Sequence, residues 1–179
     1  MRIRKAEVRD IPGVSAVYEA IHTAEEAGQV TIGWARGVYP TRETAQAALE
    51  RGDLFVAEDE DGIAGAAIIN RIQVDAYAGA AWKHSAPDEK VMVLHTLVIA
   101  PQKAGQGYGK AFVAFYERYA LENGSPYLRM DTNEKNARAR AMYHKLGYEE
   151  IGIAPCVFNG IDGVQLVLLE KRLNAPETM

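Results

Sequence analysis

The chain has 179 residues, 48% hydrophobic and 25% charged, with a formal net charge of −4. That length and balance describe one ordinary globular domain and exclude collagen-like or disordered chains. They also speak against nucleic acid as a partner. The lone Cys156 forms no internal disulfide. Neither zinc-ligand spacing nor a secretory start is present, and no apolar run nears the roughly 20 residues of a membrane span. The expectation is a cytoplasmic protein with no metal and no membrane partner.

In chain order, Ile3 to Glu7 reads as a short charged strand. Asp10 is placed to cap a helix with Pro12 in its first turn, and Ile11, Val14, Val17, Tyr18 and Ile21 form its apolar face. An irregular stretch from Glu25 to Pro40 carries Trp34 and Tyr39, and a second helix runs from a Thr41–Thr44 cap to Gly52. Leu54–Glu58 and Ile63–Arg71 read as a hairpin around the turn Asp59–Gly62. Residues 75 to 89 read as a loop, followed by a strand at 91–99 and a helix from about Gly109 to Glu122. The series ends with a strand at Tyr127–Asp131, a helix opening at Asn133 or Asn136, and strands at Tyr148–Ile153 and Val164–Glu170. This order predicts an α/β fold, a single-domain mixed twisted sheet with flanking helices over residues 1–172, and a frayed tail at 173–179.

The most informative segment is Val91-Met-Val-Leu-His-Thr-Leu-Val-Ile99, then Ala100-Pro-Gln-Lys-Ala-Gly-Gln-Gly-Tyr-Gly-Lys110. Gly105, Gly107 and Gly109 directly before a helix leave backbone N–H groups uncovered at the positive end of its dipole, which suits phosphate. A tight strand-to-helix turn would use the same glycines. No Gly-Lys-Ser/Thr ending follows, so the loop is not a nucleotide P-loop. The Gly-x-Gly-x-Gly letters leave a dinucleotide fold open, without the acidic ribose partner about 20 residues on.

A later segment reads Asn136-Ala-Arg-Ala-Arg-Ala-Met-Tyr-His-Lys-Leu-Gly-Tyr148. Strand, glycine loop and this segment together resemble the GNAT superfamily of N-acetyltransferases. Asn136, Ala139, Tyr143, Gly147 and Tyr148 match that family's later motif in full. Its Gly-x-Gly falls on Gly107-Tyr108-Gly109, which leaves Ala104 where the family carries Gln or Arg.

The resemblance implies an acyl-CoA-binding fold with acetyl-CoA as cosubstrate and an amine as acceptor. It implies phosphate contacts along Gly105, Gln106, Gly107, Tyr108, Gly109 and Lys110, and pantetheine contacts along Leu97, Val98 and Ile99. Asn136 is suited to capping its helix, to holding a cofactor amide, or to both. Tyr143 is the expected general acid for the departing thiolate. His95 is a candidate base, on a strand face expected to include Val93, Leu97 and Ile99. Its surroundings are similar to those in arylalkylamine N-acetyltransferases, but Val93 stands where those enzymes have a second histidine. Asp131 is the alternative base, acting through water, and Cys156 reads as a small core residue.

On the acceptor side Trp34, Tyr39 and Phe158 are expected to wall a pocket, with Glu25 or Glu26 attracting an ammonium. The sequence leaves open whether the acceptor is a small amine, an amino acid, a peptide N-terminus or a lysine, and whether the protein is a homodimer. Two other classes stay open: a non-catalytic acyl-CoA sensor and a dinucleotide-dependent oxidoreductase.

Overall fold

The computed structural model describes residues 1–174. Seven strands form one mixed sheet in the order β1-β2-β3-β4-β5-β7-β6. The strands are β1 (Arg2–Lys5), β2 (Leu54–Asp59), β3 (Gly62–Asn70), β4 (Val91–Ile99), β5 (Tyr127–Asn133), β6 (Glu149–Phe158) and β7 (Ile161–Arg172), and the helices are α1 (Ile11–Glu26), α2 (Arg42–Arg51), α3 (Tyr108–Glu122) and α4 (Ala137–Lys145). All pairings are antiparallel except β4 with β5. A parallel neighbour requires a crossover, and α3 supplies it.

The two-residue period of the strands sorts their side chains onto two faces. On one face Phe55, Ala67, Met92, Leu94, Leu128, Met130, Val167 and Leu169 pack beneath α3 and α4. Phe112, Val113, Tyr116 and Ala120 form the buried stripe of α3. Each fully buried large side chain there contributes about 1.5–3 kcal/mol. Tyr116 also donates its hydroxyl hydrogen to the carbonyls of Met92 and Arg129, at 2.6 and 3.1 Å, tying β4 to β5.

The opposite face carries two separate clusters. One joins α1 and α2 to Leu54, Val56, Ala66, Ile68 and Val98. The other sets Val91, Val93, Leu166 and Leu168 against Tyr77 and Trp82 of the long β3–β4 connection. The gap between them is where an internal site can form.

An extra residue in β4 shapes that gap. Ala66 faces Val98 but Ile68 faces His95, so two steps along β3 span three along β4. Thr96 takes the strain with a φ of 50°, a value costly for a β-branched residue. Beyond this bulge the faces exchange. His95 therefore does not share a face with Leu97 and Ile99 as simple alternation predicts, because Leu97 and Ile99 pack on the α3–α4 side. The parallel pairing joins Val91–Leu94 to Tyr127–Met130 and goes no further. From His95 onward β4 parts from β5, and its backbone edge faces an opening.

Several local expectations need correcting. Asp10 does not cap α1 with its side chain. Its carboxylate instead accepts the Glu7 N–H at 2.8 Å and both guanidinium arms of Arg4, at 2.7 and 3.0 Å. Thr41 and Thr44 do form a reciprocal capping box, and Gly52 closes α2 in the left-handed conformation. The last hairpin is longer than its turn formers suggest, because β6 runs on to Phe158 and β7 starts at Ile161. Past the end of β7, the Leu173 N–H donates to Pro126 O at 2.8 Å. Residues 175–179 lie outside the described residues.

Candidate active site

Two cavities flank the splayed end of β4. The first, about 550 Å³, is lined by Leu97, Val98 and Ile99 and by Gly105, Gly107, Tyr108, Gly109 and Lys110. The N–H groups of Gly107, Tyr108, Gly109 and Lys110 find no acceptor among the described residues, whereas the Ala111 N–H bonds the Gly107 carbonyl at 3.0 Å. Gly107 sits at the α3 N-cap with a φ of 89° and no side-chain cap. Nothing lies within 4 Å of the Cβ that another residue would place there, so the loop is open toward the cavity. Four free donors at a helix start are a geometry suited to an anion.

Gln106 does not belong to this lining. Its side chain turns back to donate to the Gln102 carbonyl at 3.0 Å, and its own N–H is directed at Lys103 O at 3.4 Å. Gly109 has a different role from its neighbours: its backbone is helical, and a Cβ there would lie 3.1 Å from Met142 Sδ. It allows α3 and α4 to approach closely. Lys103 is committed to Asp59 and Asp61 at 2.7 and 2.6 Å, and Tyr108 donates to Asp59. With Lys103 and Tyr108 both bonded to it, Asp59 is held at about 2. These contacts tie the glycine loop to the β2–β3 turn. Lys110 and Arg138 line the cavity without an ion pair among the described residues. Arg138, absent from the expected site, lies close to Gly105.

The second cavity, about 380 Å³, contains His95, Asp131, Trp34, Tyr39 and Phe158 in its lining. Trp34 and Tyr39 meet edge to face with centroids 6.1 Å apart. Asp131 accepts the Tyr77 hydroxyl at 2.6 Å through Oδ2, and its other oxygen has no bond among the described residues. Burial lifts this carboxyl to about 6, against the lowering effect of the Tyr77 bond. Asp131 is thus a carboxylate at neutral pH that binds a proton far more readily than an ordinary one.

His95 is arranged differently. Its Nε2 lies 3.0 Å from Asn70 Oδ1, an oxygen that also accepts the Ile72 N–H at 2.9 Å, while Asn70 Nδ2 donates to Asp53 at 2.9 Å. These bonds fix the Asn70 amide, so Nε2 must carry the hydrogen and Nδ1 the lone pair. Burial pushes the imidazole down to about 4, which keeps it neutral but makes it a weak base.

Five residues, Ile32, Leu97, Asn136, Ala139 and Tyr143, line both cavities. Asn136 caps α4 by accepting the Ala139 N–H at 3.1 Å, and its amide NH2 has no acceptor among the described residues. The Tyr143 hydroxyl has no hydrogen-bond partner among the described residues; burial and the charge of Asp131 raise it above the usual phenol range. It therefore stays protonated at neutral pH. Cys156 lines neither cavity, packing beside the Tyr77 cluster instead.

Neither acidic residue proposed for the acceptor faces it. Glu25 accepts the N–H groups of Ile32 and Gly33 at 2.7 and 2.9 Å, and Glu26 pairs with Arg36 at 2.9 Å. The sequence reading also missed Asn70, Thr96 and Tyr77. Asn70 alone left a trace, as a polar residue ending an apolar strand.

A strand that leaves its parallel neighbour, four free N–H groups opening the next helix, and a tyrosine between two cavities define an acyl-CoA-dependent transferase class. Residues 15–148 match the family model described as Acetyltransferase (GNAT) family, and the chain belongs to that family. A 62-residue stretch is 31% identical to the uncharacterized N-acetyltransferase YhfO of Bacillus subtilis (strain 168), covering 35% of this chain and 42% of that protein. In fold, the chain is similar to a GNAT-family acetyltransferase from Streptococcus agalactiae 2603, with TM-score 0.80, 24% identity, and 97% of this chain and 95% of that one covered. It is also similar to a ribosomal-protein-alanine N-acetyltransferase from Brucella melitensis, with TM-score 0.71, 22% identity, and 97% and 100% covered.

Proposed function

We propose that this chain is an N-acetyltransferase that moves the acetyl group of acetyl-CoA to a primary amine by direct attack while both are bound. The observation that carries this reading is that the two cavities share Leu97, Asn136 and Tyr143. The residues of the larger cavity fit acetyl-CoA: the free N–H groups from Gly107 to Lys110 suit its pyrophosphate, and the unpaired edge at Leu97, Val98 and Ile99 suits the amides of its pantetheine arm. Lys110 and Arg138 add positive charge for its phosphates.

Bound acetyl-CoA supplies an acyl group already activated as a thioester. Asp131, a carboxylate above about pH 6, takes the proton from the acceptor ammonium and leaves a free amine. An N–H from the bulged part of β4 meets the charge that builds on the thioester oxygen. The Tyr143 hydroxyl donates to the departing sulfur and is restored by the second proton, which the attacking nitrogen loses as the amide forms; the first, held by Asp131, leaves to solvent. With Cys156 outside both cavities, no thiol is positioned to carry the acetyl group. Initial rates measured by CoA release, with both substrates varied, should give intersecting reciprocal lines. Parallel lines with a trapped acyl-enzyme would overturn direct attack.

A further inference from the structure

We propose that the acceptor is a small primary amine with an apolar body and no carboxylate, and that polypeptide amines are excluded. This rests on the N-acetyltransferase reading and adds the acceptor class to it.

The first support is closure. The segment from residue 27 to 40 is held over the acceptor cavity from several sides. Its backbone N–H groups at Ile32 and Gly33 are bonded to Glu25 of α1. Gly33 lies flat on Asn133 at the end of β5, where a Cβ would come within 2.4 Å of the amide nitrogen. The Tyr39 hydroxyl bonds Thr96 in the β4 bulge. At the far end Val38 touches the β6–β7 tip, where a Cβ on Gly160 would lie 3.3 Å from its methyl. A peptide or protein lysine needs an open groove leading to the reacting atoms, and these contacts narrow the groove along the side that the segment covers. A volume of about 380 Å³ is near the small end of ligand sites.

Charge is the second support. Among the described residues, Asp131 is the one acidic residue in the lining, and Arg51 the one arginine or lysine. Arg51 is already matched: its Nε and Nη2 reach the two oxygens of Asp53 at 2.9 and 3.2 Å. The pocket therefore attracts an ammonium and offers a substrate carboxylate no unmatched cation. The apolar wall of Trp34, Phe158, Ile72, Val74 and Ile161 favours a hydrocarbon or aryl body beside the amine.

A matched set of acceptors tests this: phenethylamine, phenylalanine, phenylalaninamide and a short peptide with N-terminal phenylalanine, each assayed for kcat/KM by CoA release. Phenethylamine should be best. Phenylalaninamide should fall between it and phenylalanine, which should be worse than phenethylamine by about tenfold or more because its carboxylate meets Asp131. The peptide should give no transfer. Phe158→Ala should lower kcat/KM for phenethylamine more than for ethylamine. Phenylalanine or the peptide matching phenethylamine would overturn the proposed acceptor class while leaving the N-acetyltransferase reading intact. Tight acetyl-CoA binding with no transfer to any amine would overturn both.

Discussion

The donor and acceptor halves of the site are built from different materials. The side proposed for acetyl-CoA is mostly backbone: a strand edge released by a bulge, and four N–H groups at the start of α3. Its backbone donors and strand edge come from one continuous stretch, residues 97 to 110. The acceptor side consists of side chains delivered by six separate stretches of chain, from Trp34 to Ile161 and beyond. A backbone site should tolerate side-chain change but not a change of chain geometry. A side-chain site is the reverse, so the two halves should fail in distinguishable ways.

The largest effect is expected where the halves meet. Tyr143→Phe should lower kcat by about 100- to 10,000-fold while acetyl-CoA affinity stays near wild type. Wild-type kcat would reduce Tyr143 to packing against Tyr148, 6.0 Å away. On the donor side, Gly107→Val should weaken CoA binding by about tenfold or more, since a β-branched residue resists a φ of 89° and displaces the free N–H groups. Unchanged affinity in a calorimetric titration of the folded variant would remove the anion site from this loop. On the acceptor side, Tyr77→Phe should leave CoA binding alone and shift the acidic limb of kcat/KM upward. The lost phenol was lowering Asp131, and the other groups that sense its charge, Tyr39, Tyr143 and Cys156, stay neutral there. A smaller change should follow Arg138→Ala: roughly two- to fivefold weaker CoA binding, shrinking as salt rises.

The same contrast explains what the sequence conveyed. The helix starts at Gly107 and Asn136 were legible because an open loop and a helix cap demand particular residues at fixed local spacing, whereas Tyr143 was marked only by the family resemblance. The strand order was legible to the level of a mixed sheet, but the bulge at Thr96 was not. One inserted residue leaves no mark in composition, yet it exchanges the faces of β4 and misleads any alternation drawn through His95. Glu25 and Glu26 were misassigned because an exposed-looking acid in an irregular segment can serve the backbone or an arginine as readily as a ligand. Tyr77 and Asp131 are 54 residues apart in sequence, and no local pattern links them. Gln106 read as part of the cradle on position alone, whereas its amide closes the turn.

Asp131 also carries a cost that separates function from stability. Its carboxyl binds protons more readily folded than unfolded, so the fold is favoured below about pH 4 and loses that contribution as pH rises through about 6. Asp131→Asn should therefore be no less stable than wild type at neutral pH.

The central claim, that Asp131 receives the acceptor's proton, is tested most directly by the pH dependence of kcat/KM in wild type, Asp131→Asn and His95→Gln. Wild type should show an acidic limb near 6, retained in the His95 variant because that imidazole titrates near 4. In the Asp131 variant the rate should fall and the limb disappear, with CoA affinity unchanged. A limb that persists in Asp131→Asn and vanishes in His95→Gln would contradict the account and make His95 the base.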